Sequence, residues 1–177
     1  MRSFAIAASL VLTCCAKVQT PKQPPAQSLH EGLNAIARSV GGCKPETRVR
    51  VVAWAEETSA GPALAFQLSN ISPTPLSLYP ERLPWGNPNS IEVAAFTTSG
   101  QVVPTFWPIA DPPPAMPIVV KPGETLSGKA LLTWRLDGLD RLRTSEVLIL
   151  WSYRSPFLES RERRCVSGVA VLHNGGA

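Results

Sequence analysis

The chain has 177 residues, of which 44% are hydrophobic and 17% charged, and a formal net charge of +4. That balance excludes a chain disordered by composition or embedded in a membrane, and the charge is too small for the basic field of a phosphate-reading protein, so no nucleic-acid partner is expected. Proline, at 18 residues, is roughly twice its usual ~5% and is barred from helix interiors and central strands, which favours strands joined by long loops.

Met1-Arg2-Ser3 supplies one positive charge, and Phe4 to Leu12 form an apolar run far below the ~20 residues that span a bilayer. Small residues follow from Thr13 to Ala16, so residues 1–16 read as an export signal. Two cleavage sites compete. Leu12-Thr13-Cys14-Cys15 resembles a bacterial lipoprotein signal, with Cys15 as the lipidated new terminus and Cys14 standing where Gly, Ala or Ser is usual. The other is simple cleavage after Ala16. The brevity of the signal and the spacer behind it favour the first. Residues 17–27, KVQTPKQPPAQ, have no apolar period and read as a flexible, partly polyproline spacer.

Residues 28–42 read as a short amphipathic helix. Ser28 and Glu31 form a capping box, Leu29, Leu33, Ile36, Ala37 and Val40 share one face, and Gly41-Gly42 is a stop. His30, in the first turn, has no second ligand at metal spacing and reads as an exposed residue. Beyond the signal only Cys43 and Cys165 remain. In an exported chain this pair suggests one disulfide joining the start of the domain to its last strand.

From residue 43 to residue 174 the chain reads as strands and turns. Leu64, Phe66 and Leu68 alternate with Ala65, Gln67 and Ser69. Asn70 to Pro75 break the run, and Leu76 and Leu78 restart it. Before it, Arg48–Glu56 alternates with Val49, Val51, Ala53 and Ala55 in phase. After it come Ile91–Ala95 with a Ser99-Gly100 hairpin turn, Val102–Trp107, Ile118–Val120, and a Pro122-Gly123 turn. Leu126 to Trp134, Val147 to Tyr153, and Cys165, Ser167, Val169 and Val171 complete the series. Asp137–Arg143 reads as a loop or single helical turn. The expectation is an all-β chain, an immunoglobulin-like antiparallel β-sandwich of about seven to nine strands after one short helix.

Asn70 between an alternating strand and Pro75-Leu76-Ser77-Leu78, followed by Pro122-Gly123-Glu124 and a final run of strands, resembles immunoglobulin-like modules of bacterial envelope proteins. The same stretch, residues 64–134, is distantly similar to intracellular proteinase inhibitors of the BsuPI type. The resemblance implies the fold and carries over no inhibitory residues.

No catalytic, cofactor-binding or metal-binding constellation stands out. The two His residues, His30 and His173, have no triad partners in sequence, and His173 falls in a Gly-rich tail that should fray. Glu56 and Glu57 point to opposite faces of a strand. Two Pro/aromatic loops remain, residues 79–88 and 105–117. Pro stiffens a loop, and exposed Trp and Tyr are favoured anchors at interfaces. Tyr79, Trp85, Trp107, Pro113 and Met116 are therefore the candidate partner surface. The competing reading folds these rings back over the sandwich ends. The expected protein is an exported, non-enzymatic module, periplasmic or outer-membrane-anchored. It would touch the membrane only through its N-terminal lipid and take an unknown envelope protein as partner. A protease inhibitor presenting one of these loops is the alternative.

Overall fold

The period-2 runs become two facing sheets in the computed structural model, which describes residues 33–34, 36–38, 41–109, 115–142, 146–154 and 164–173. The strands in chain order are β1 (Lys44–Pro45), β2 (Val49–Thr58), β3 (Gly61–Asn70), β4 (Leu76–Leu78), β5 (Ile91–Thr97), β6 (Val102–Val103), β7 (Ile118–Val120), β8 (Thr125–Leu131), β9 (Val147–Arg154) and β10 (Arg164–Leu172). One sheet has the order β1-β10-β9-β5-β6, the other β2-β3-β8, and β4 pairs with β7. The fold is an all-β sandwich, as its alternation predicts. The one strand beyond the expected runs is the two-residue piece β1.

The core is built from the inward-facing set of each strand. Leu64, Phe66 and Leu68 of β3 meet Ile91, Val93 and Ala95 of β5 and Val147, Ile149, Trp151 and Tyr153 of β9, all buried. Each such large side chain contributes roughly 1.5–3 kcal/mol relative to exposure. Burial also pushes the Tyr153 phenol far above its ordinary range, with the Glu46 carboxylate adding to the effect, so the ring stays neutral. Glu46 accepts from the Thr47 and Arg48 backbone N–H groups and pairs with the Arg48 side chain at 3.1 Å.

Asn70 explains how β3 and β8 pass into β4 and β7. Its side chain is fully buried and fully satisfied. Nδ2 donates to the carbonyls of Thr74 and Val120, both at 2.9 Å, and Oδ1 accepts from the Ser72 N–H and hydroxyl. Its backbone N–H donates to Glu124 and its carbonyl accepts from Gly123. One residue thus stitches the break in one strand to the Pro-Gly turn opposite, where Gly123 sits at φ 77°, and the pairing resumes as Leu76↔Val120.

The disulfide joins Cys43 to Cys165 with Cα atoms 5.6 Å apart, across 122 residues of sequence. In the chain-entropy view a loop that long is worth about 4–5 kcal/mol. It fastens β1 beside β10, and this pair is parallel, unlike the antiparallel remainder that was expected.

Several expectations are corrected. Residues 33–34 and 36–38 are helical and Gly41 N–H closes on the Ala37 carbonyl at 2.8 Å, yet Leu33 and Ala37 are exposed and only Ile36 is half-buried. The strand from Val102 stops at Val103, because Pro104 has no N–H to extend a ladder. After β8 the chain tightens into a 3-10 turn, Leu132–Trp134, which leaves Trp134 partly in solvent. In β10 the inward residues are Gly168, Ala170 and Leu172, whereas Val169 and Val171 face out. The cause is Trp151: Gly168 lies opposite it, and a Cβ there would come within 2.7 Å of the indole. His173, at the end of the described residues, has its Nδ1 2.8 Å from Glu146 Oε1. The signal, Cys15, the spacer, Ser28 to Glu31 and Pro113 lie outside the described residues.

Candidate functional site: an aromatic ledge held by a buried arginine

Leu136 bridges Thr105 across the short connection after β6, so the chain on either side of Arg135 runs beside residues 104–106. Asp137 N–H donates to the Pro104 carbonyl at 2.8 Å, and Phe106 N–H to the Arg135 carbonyl at 3.1 Å. The Arg135 side chain then turns under the 79–91 loop and is 3% exposed. Nε donates to the Phe106 carbonyl at 3.1 Å, and Nη1 donates to the carbonyls of Pro88, at 2.9 Å, and Ile91. Nη2 lies 3.5 Å from Glu92 Oε2. The planar five-donor fork of arginine suits this arrangement, and a lysine ammonium would not span it.

Over the same guanidinium lies the Trp107 ring, with its centroid 4.0 Å from Arg135 Cζ. Trp107 is nevertheless 60% exposed, and Phe106, Ile109 and Met116 are exposed around the same stretch. Asn89 Nδ2 donates to the Pro108 carbonyl at 3.1 Å and pins the next residue from the other loop. The result is an aromatic ledge whose backbone is fixed at residues 104, 106 and 108 while its rings face outward.

Burial opposes charge on both members of the ion pair. It pushes the Glu92 carboxyl above its usual range against the pull of Arg135, and it lowers the Arg135 guanidinium from its ordinary value. Beside the ledge is a pocket of about 190 Å³ lined by Glu92, Ala94, Thr105, Trp107, Arg135 and, from the helical segment, Arg38 among others.

The five residues proposed as a partner surface part company. Trp107 and Met116 are exposed, Tyr79 and Trp85 are half-buried, and Pro113 is outside the described residues. Tyr79 has Arg82 over its ring at 5.9 Å. Trp85 turns inward: its indole lies 6.5 Å from the Phe66 ring and rests on β8 at Gly128, where a Cβ would fall 2.3 Å from the ring. Sequence reasoning missed Arg135 altogether. The signal was a single cation inside the run LLTWRL, which is otherwise apolar except for Thr133.

Among the described residues no group of three His, Cys, Asp or Glu side chains could hold a metal ion. No protein-family model and no curated protein matches this chain.

Proposed function

We propose that this protein is an exported, non-enzymatic immunoglobulin-like module of the bacterial envelope, anchored by a lipid on Cys15, that binds through the rigid ledge around Trp107. The observation that carries the binding role is the combination at Trp107: the ring is mostly in solvent, yet one face lies on Arg135 and the backbone on either side of it is held by Arg135 and Asn89. Ordering an exposed aromatic before any encounter lowers the entropy lost on binding, and Trp is a favoured interface anchor. The Cys43–Cys165 bond supports export, because such bonds persist in oxidising compartments.

Mass spectrometry of the mature N-terminus tests the anchor. A diacylglyceryl group on Cys15 is the expected result, and a free N-terminal Lys17 would end that part of the proposal. Hydrogen exchange tests the binding surface: the amides of residues 105, 106, 107 and 109 should slow when envelope extract is added to the full chain. Unchanged exchange there would remove the binding role.

A further inference from the structure

The exposed side chains of the ledge are of one chemical kind. Phe106, Trp107 and Ile109 follow almost consecutively, and Ile109 and Met116 are the least covered of the large apolar side chains among the described residues, at 105% and 85% exposure. A soluble protein seldom leaves so many large apolar groups in solvent within so short a stretch unless something covers them. Trp is at home where hydrocarbon meets headgroups, because its ring is apolar and its N–H is polar.

The position of the tether points to what covers them. Arg38, from the segment leading back toward residue 15, lines the same pocket as Thr105, Trp107 and Arg135. Arg38 follows Cys15 by 23 residues, so the described end of the N-terminal segment meets the sandwich beside the ledge. The spacer read at residues 17–27 is eleven residues long, and at about 3.1 Å per residue for a Pro-rich linker it reaches roughly 34 Å, so a lipid at its far end keeps this side of the domain near the bilayer. At such an effective concentration even weak docking is populated. The rim charges fit as well. Arg38 is exposed and suits anionic headgroups, while the pocket's carboxylate, Glu92, is already engaged by Arg135.

We propose that Phe106, Trp107 and Ile109 form a second membrane contact, seating the sandwich against the interface of the bilayer that holds its lipid. The inference deepens the anchored reading above and rests on it. The ledge is the foot on which the domain stands.

The test uses the full chain in vesicles of phosphatidylethanolamine and phosphatidylglycerol whose acyl chains carry bromine, a contact quencher of indole emission. The wild type should be quenched relative to the same vesicles without bromine. Trp107→Phe, which keeps an aromatic ring on Arg135, should lose most of that quenching. Ile109→Asp changes a residue with no cover in the fold, and it should lower vesicle partitioning at least about threefold with an unchanged melting midpoint. No quenching in the wild type, or equal quenching in all three chains, would overturn the proposal. Shielding of Trp107 only when envelope proteins are added would overturn it in favour of a protein partner. The mass of Cys15 is read separately. If it carries no lipid the anchor fails on its own, and the unlipidated chain at vesicle excess still decides the ledge: quenching through Trp107 sustains it, and none removes it.

Discussion

Trp85 and Trp107 come from the same kind of sequence, a Pro-rich loop following a strand, and they end in opposite environments. Trp85 leaves its loop for the core, because β8 offers Gly128 and nothing with a side chain could lie beneath the indole. Trp107 finds no such gap. A buried guanidinium meets it instead, and the ring lies over that cation with most of its surface in solvent. What separates an inward tryptophan from a presented one is the residue it lands on, which is distant in sequence in both cases: Gly128 for one and Arg135 for the other.

The largest effect that would sharpen this contrast is expected at the cation. Arg135→Met removes three donors to loop carbonyls and strands Glu92, half-buried, without its counter-charge. Breaking one side of a buried pair costs about 4 kcal/mol. Chemical denaturation should show that loss, and the Phe106 amide, which donates to the Arg135 carbonyl, should at the same time lose its protection in hydrogen exchange. A near-neutral result would mean that the ledge is held by something other than Arg135.

Next comes the inward ring. Trp85→Ala empties the space between Phe66 and Gly128 and should cost about 3 kcal/mol, at the low end for a tryptophan because the side chain is only half-buried. Gly128→Val should do comparable damage from the opposite side by expelling the indole. If the two substitutions are combined, the losses should fall short of additive, since both act on one contact. Full additivity would break the pairing of Trp85 with Gly128.

Trp107→Ala should cost much less, roughly 0.5–1 kcal/mol, the worth of a largely exposed cation–π contact. A melting scan comparing it with Trp85→Ala is the most direct test of the contrast. Equal losses would place both rings in the core.

These differences mark the limit of what the sequence makes legible. Alternation located most of the strands, because a strand with one buried face must repeat every two residues. The Asn70 break was readable for a local reason: its partners Ser72 and Thr74 are neighbours in sequence. The cysteines could be paired because only two remained beyond the signal. The phase of β10 was not readable, because it depends on Gly168 lying across from Trp151, a pairing made only in the sheet. The helical face was not readable for a similar reason: periodicity states which residues share a side and is silent on whether the side finds a partner. Arg135 escaped because its acceptors are backbone carbonyls at residues 88, 91 and 106, and a carbonyl leaves no mark in composition.

The smallest effect probes the ion pair beneath the ledge and depends on sign. Glu92 holds its proton more tightly in the fold than its usual value of 4.5 because burial outweighs the attraction of Arg135 and Arg154. A carboxyl raised in this way contributes stability that is complete below its unfolded value and lost as pH rises through the folded one. Glu92→Gln cannot ionise and should not show the loss. Denaturation midpoints measured from acid to neutral pH should therefore start near one another in acid, where both side chains are neutral, with the wild type falling below the variant as pH climbs past 4.5. If the wild type instead gains on Glu92→Gln as pH rises, attraction wins over burial. Arg135 would then be held in place by its carboxylate, not chiefly by the three carbonyls, and the ledge under Trp107 would be an electrostatic construction open to salt.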